Sequence, residues 1–264
     1  MKPILFYSSL VLYLSAGIFY LLQLVFENPT PGKLAARLTF LAWLVQTVML
    51  GIHFSKVGYP FLVDSSSSYA FSAWVTALVF LLLNLKYRFQ VIGMVALPLI
   101  SVFFLLSLFS SESYASHATT LTHSPWASIH IIFSFLALAL FSLSFILAII
   151  FIIEEFQLKY KVLPKIVLRL PSLQVVEQIH AKSLTVGFAL LTGGIISGVA
   201  WAKSVTGVYF FEDARQLWAI CAWLIYAFFL QARFAAGWRG RKGILLSILG
   251  FVVILFTFLG VQHS

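Results

Sequence analysis

Residues Leu191–Gly260 read LTGGIISGVAWA KSVTGVYFFEDAR QLWAICAWLIYAFFLQARFAAGWRGRKGILLSILGFVVILFTFLG. Long apolar runs lie on either side of one short polar segment, Lys203 to Arg215. That segment joins Gly207 and a cluster of aromatics to a lone acidic pair, Glu212 and Asp213, and Trp201 and Trp218 bracket it. Rings gather where a chain crosses from lipid to water, so the pattern marks the segment as a loop at a membrane face. Two readings of the loop stand at this point. It lies on the lipid headgroups, or it forms a platform for a flat ligand.

Working outward, the rest of the chain has the same character. Of 264 residues, 61% are hydrophobic and only 9% charged, more apolar surface than a water-soluble domain can bury. Eight stretches of helix length carry little or no charge. They run near Ile4–Phe26, Leu38–Phe54, Tyr69–Leu85, Phe89–Phe109, Trp126–Ile153, Ser183–Ala202, Gln216–Ala232 and Gly243–Val261. Crossing the roughly 30 Å hydrocarbon layer takes about 20 helical residues. Barrel strands would be half as long and would alternate with a period of two, which these runs do not. The expectation is an all-α, polytopic membrane helix bundle of about eight transmembrane helices in a single domain over residues 1–264. The first run, Pro3 to Phe26, has no small-residue cleavage site after it and reads as the first span rather than a signal peptide.

Charge sets the orientation. Eight spans place both termini on one side, and the loops of the opposite side hold thirteen of the seventeen Lys and Arg residues, leaving Lys2, Lys56, Lys203 and Arg215 on the terminal side. By the positive-inside rule both termini and the Lys203–Arg215 loop face outward, across a cytoplasmic (inner) membrane that the chain crosses many times. The net charge of +9 records this topology; no nucleic-acid-binding motif accompanies it, so the lipid bilayer is the partner that composition requires. Between Glu154 and Lys182 the inner loop is charged and carries Pro164 and Pro171. There the expectation is an extended fifth helix, a break, and a short amphipathic helix (Ser172 to Lys182) on the membrane surface.

Common catalytic patterns are missing. There is no phosphate-binding glycine loop, no HExxH and no paired intramembrane carboxylate of the kind that drives ion-coupled transport. The single Cys221 excludes a disulfide framework and paired-thiol chemistry. Histidine remains. Five of six (His53, His117, His123, His130 and His263) fall on the outer side, with His180 alone on the inner side. An imidazole can ligate haem iron through a ring nitrogen, and His130 sits among Trp126, Ile129, Ile131 and Phe133, apolar enough to wall a porphyrin. The plainer alternative is a border histidine bonded to a neighbour or to water. Asp213 likewise has a plain role beside the ligand one, because an acid near the start of the seventh helix favours the helix dipole by about 0.3–1 kcal/mol.

From Leu170 onward the blocks LPSL, GFALLTGGIISGVAWA, GVYFFED, LWAICAWLIYAFFLQAR, GWRGRKG and GFVVILFTFLGV follow one another in a single register. Trp201-Ala202 is followed after ten residues by Asp213 and after four more by Trp218. In this the chain resembles the cytochrome c assembly family, the CcsA, ResC and HemX-like integral membrane proteins, and most closely its HemX-like and YpjD-like branch. The likeness extends upstream through WASIHIIFSFLALALFSLSFILAIIFIIEEFQLK, so that it covers 126–261, with a weaker echo at Gly58 to Trp74.

The resemblance implies an eight-or-so-helix bundle that holds haem at its outer face over a tryptophan-rich loop ending in Asp, between two outer histidines. It identifies His130 with the first of these histidines and leaves His263 as a substitute for the second. Gly207, Tyr209, Phe210 and Asp213 fall in the loop, with Trp201 and Trp218 at its borders. It also implies a reduced haem presented to the thiols of an apocytochrome c, a separate assembly protein as partner, and presentation rather than bond-making by side chains. Three family tryptophans are Thr206, Phe210 and Glu212 here, and an intramembrane histidine is Gln231. Those departures fit a second reading, a haem-free accessory or regulatory protein that acts through protein contacts.

Overall fold

The computed structural model describes residues 2–26, 29–57, 65–87, 90–110, 124–160, 172–209 and 214–259. Among the described residues there are eight helices and no strand: α1 (Lys2–Phe26), α2 (Pro29–Val57), α3 (Ser65–Tyr87), α4 (Gln90–Phe109), α5 (Pro125–Tyr160), α6 (Leu173–Thr206), α7 (Ala214–Ala235) and α8 (Arg241–Leu259). Each is long and apolar enough to cross a membrane. Backbone N–H and C=O groups have no water to bond in hydrocarbon, and an α-helix satisfies them within one segment. The eight-span, all-α architecture expected from the apolar runs is the one observed.

The helices outrun the apolar stretches that mark them. α5 has 36 residues and α6 has 34. At about 1.5 Å per residue each is roughly 50 Å long, well beyond the hydrocarbon layer. Their ends therefore carry the charges, Glu154, Glu155 and Lys159 on α5 and Glu177 and Lys182 on α6.

Here the structure corrects one expectation. Residues 173–182 are not a separate surface helix but the first three turns of α6, which runs unbroken to Thr206. Nothing after Ser172 interrupts the helix, and the predicted amphipathic face is buried through Val176, Ile179, His180 and Ala181. Packing against protein, rather than against headgroups, takes up its apolar side. The helix opens at Leu173 with Ser172 as its N-cap.

The chain forms two compact units. The first comprises 1–120 and 153–171, and α1 to α4 make up its helical body. Gln46 ties three of its helices together: buried Tyr13 donates its hydroxyl hydrogen to Gln46 Oε1 at 2.7 Å, and Gln46 Nε2 donates to the Ala70 carbonyl at 2.9 Å. A buried amide needs such partners, since an unpaired polar group away from water is costly. Trp43 and Phe71 each stack on Trp74, whose Nε1 donates to Thr47 Oγ1 at 2.8 Å.

The second unit comprises 121–152 and 172–264. Here α5 and α6 run antiparallel, held close by a line of small residues on α6. A Cβ added at Gly187 would lie 3.0 Å from Phe141 Cε1, and one at Gly194 would lie 3.1 Å from Ser134 Oγ. Helices that gain nothing from water exclusion associate through such close approach. Phe141 in turn stacks face to face on Tyr226 of α7 (4.2 Å, 2°), and Tyr226 lies against Gly250 of α8.

Candidate functional site

His130 lies in the second turn of α5, which opens at Pro125 behind a bond from the Ala127 N–H to the Ser124 carbonyl (3.0 Å). Proline suits this first helical position, because its missing N–H is one that a helix start leaves unpaired. The imidazole reaches across to α6. Its Nδ1 is 2.7 Å from the carbonyl oxygen of Gly194. A carbonyl can only accept, so Nδ1 carries the proton and donates it, which leaves Nε2 with its lone pair. Among the described residues Nε2 has no hydrogen-bond partner.

The ring fits because α6 has no side chain beneath it. A Cβ at Gly198 would stand 2.8 Å from His130 Nδ1 and 3.0 Å from Cε1, too close without movement. One turn further along, the Trp201 indole lies 6.0 Å from the imidazole, tilted by 33°. Gly194, Gly198 and Trp201 thus form one face of α6, a carbonyl, a gap and a wall, with the histidine laid along it. One ring nitrogen is thus anchored by backbone, a kind of hydrogen bond that metal-binding imidazoles commonly also make.

The remaining expected site residues are distributed as follows. Gly207 ends α6 in the left-handed region (φ 76°), its N–H bonded to the Lys203 carbonyl at 3.0 Å, a conformation that glycine adopts without strain. Tyr209 is exposed, its hydroxyl bonded by Lys203 Nζ, which also lies 4.1 Å from the ring centroid. Trp218 on α7 meets Phe256 of α8 edge-on at 4.8 Å. The structure brings His130 and Trp201 together, and it pairs Tyr209 with Lys203 and Trp218 with Phe256. Phe210, Asp213 and His263 lie outside the described residues, as do His117 and His123.

Two features were not anticipated. One is the glycine pair under His130; the Gly194/Gly198 spacing is the small-xxx-small pattern of close helix pairs and was the available signal. The other is His180, buried on α6, with Nε2 2.8 Å from Ser247 Oγ of α8. Ser247 gives its own hydrogen to the Ile244 carbonyl (2.7 Å), so it accepts from His180. Gln231, where the resemblance implies a histidine, is exposed on α7.

A sequence model of the family described as "Cytochrome C assembly protein" matches residues 62–264. The chain is 29% identical over 269 residues to the cytochrome c biogenesis protein CcsA of Pyropia yezoensis, covering 88% of this chain and 84% of that protein. It is 31% identical over 255 residues to the CcsA of Prochlorococcus marinus, covering 88% and 82%. Among solved structures, the cytochrome c haem lyase CcmF superposes on the whole chain with a TM-score of 0.71 at 16% identity, a likeness of fold. The present chain spans about half (47%) of that one.

Proposed function

This chain belongs to the cytochrome c assembly protein family, a multi-pass membrane protein, and on that premise we propose that it binds haem at the outer face of the cytoplasmic membrane through His130. The observation that carries the reading is the 2.7 Å bond between His130 Nδ1 and the Gly194 carbonyl. It holds the ring in the tautomer and direction that leave Nε2 for iron, and partial charge drawn from the carbonyl makes that nitrogen a better donor. Trp201 supplies an apolar wall beside it, and the exposed turn of Gly207 and Tyr209 lies at the same end of α6. Trp218 and, by the resemblance, Asp213, Phe210 and His263 are the further residues proposed to hold the group, His263 as a second residue that would ligate the iron.

Bound haem would supply the vinyl groups to which apocytochrome thiols add. The protein's own part is to hold, orient and present. His130 would ligate, Gly194 and Gly198 would fix the ring, and the aromatic side chains would exclude water from one side. No side chain is assigned a bond-making role. The proposed partners are the apocytochrome c and a separate assembly protein. The relatives named CcsA support a place for the chain in cytochrome c biogenesis.

The test is the absorption spectrum of the protein purified in mild detergent from haem-sufficient cells, wild type beside His130→Ala. A Soret band with sharp reduced bands, weakened or shifted by the substitution, is the expected result. A colourless protein that also takes up no added haem removes the reading. Gln231 favours a second function, a haem-free accessory protein acting through contacts, since an exposed amide stands where the resemblance implies a histidine.

A further inference from the structure

The turn between α7 and α8 is held more firmly than a connection between two spans requires. Glu177, in the first turns of α6, accepts hydrogen bonds from Arg233 Nη1 at 3.0 Å and from the Gly240 N–H at 3.2 Å. The Trp238 N–H donates to the Ala232 carbonyl at 3.1 Å, and the Ile244 N–H to the Gly240 carbonyl at 3.1 Å. Gly237 (φ 66°) and Gly240 (φ 65°) supply the two left-handed residues that the path needs. The Trp238 indole packs edge-on to Phe228 of α7 at 6.1 Å. On this frame three cations, Arg239, Arg241 and Lys242, are exposed, with Lys242 Nζ 5.7 Å from the Trp238 ring.

Sorting of loops across a membrane accounts for the positive charge but not for the fastened backbone turn that carries it. Topology counts Lys and Arg, wherever in the loop they lie. Here a carboxylate from a different helix is used to fasten the turn, and Glu177 faces Arg233 and Gly240. By length and composition, the stretches of α7 and α8 fit to cross a membrane end at Ala235 and begin at Arg241, so the turn joins two spans at a membrane boundary. A planar guanidinium matches a phosphodiester through paired N–H donors, and an indole with a nearby ammonium is suited to the same boundary.

We propose that the 236–242 turn seats the phosphodiester headgroup of an anionic membrane lipid, with Arg239, Arg241 and Lys242 as its donors and Glu177 as the residue that fastens the backbone carrying them. The site is independent of haem and of His130. It fixes the α7–α8 end of the second unit to anionic lipid and sets which lipid that end collects.

The experiment uses the full chain, delipidated in neutral detergent. Binding of phosphatidylglycerol, phosphatidylcholine and inorganic phosphate is compared by native mass spectrometry and by the shift in melting midpoint. Wild type is set beside Arg239→Gln and beside the triple variant R239Q/R241Q/K242Q. Phosphatidylglycerol is expected to bind the wild type, and each cation removed is expected to weaken it about fivefold. Phosphatidylcholine should bind far more weakly, and equimolar inorganic phosphate should not displace the lipid. The single variant keeps the test open if the triple one folds poorly, because the exposed Arg239 side chain makes no hydrogen bond among the described residues. Undiminished phosphatidylglycerol binding by both variants overturns the proposal, as does equal binding of phosphatidylcholine. Displacement by inorganic phosphate would make it a free-phosphate site and would also overturn it.

Discussion

His130 takes its direction from glycines that it meets 64 residues and more along the chain. The carbonyl of Gly194 selects which nitrogen is protonated, and the absent side chain of Gly198 gives the ring its place. Gly198→Ala should therefore displace the imidazole while leaving every other polar group intact. Supporting residues of a metal ligand typically contribute about 10–100-fold to affinity, so haem titration should show a loss of that size. Gly51→Ala, at a position where an added Cβ meets nothing within 4 Å, should change nothing. Equal haem affinity in both variants would show that the glycine gap does not orient the ring. His130 stands out in the sequence as a candidate through its apolar neighbours and the family blocks. Its tautomer does not, because that depends on a contact between α5 and α6 which local pattern does not encode. His180 escaped notice for a related reason. Its segment carries enough charge to resemble a surface helix, and only the seating against Ser247 of α8 shows it buried.

At the scale of elements, apolar runs located all eight helices but not their ends. A hydropathy pattern reports where a helix is in lipid, whereas the helix itself continues until the backbone is interrupted. α6 is the clear case, since its first three turns are charged enough to read as a separate piece, yet no residue between Ser172 and Gly207 breaks them from the rest. This has a direct consequence. Lys182 is exposed and marks the junction between the two pieces that the pattern suggested. A proline there removes one hydrogen bond and clashes with the preceding turn, at about 3 kcal/mol or more inside a continuous helix. Lys182→Pro should accordingly lower the thermal midpoint in detergent by many degrees. A boundary between two helices would accept the substitution with little change, and that outcome would contradict the unbroken α6.

For the whole molecule, composition and the Lys/Arg count led to a many-span chain with both termini outside, and the eight described helices agree with the number of spans. The side on which each loop lies can be read chemically. With Cys221→Ser as background, Ser204→Cys at the end of α6 should react with an impermeant maleimide on intact cells, and Lys242→Cys should react only after permeabilisation. The reverse pattern would invert the orientation and move His130 to the inner face. Family membership gives the fold and the process, cytochrome c assembly, and the proposal adds haem ligation by His130. The most direct measurement is therefore chemical rescue. Haem-loaded His130→Gly protein is titrated with free imidazole and followed by its reduced absorption bands. If His130 Nε2 ligates the iron, the variant loses the low-spin bands and imidazole restores them towards the wild-type spectrum. If the variant already shows the wild-type bands without imidazole, His130 is not the ligand and the proposed site is wrong.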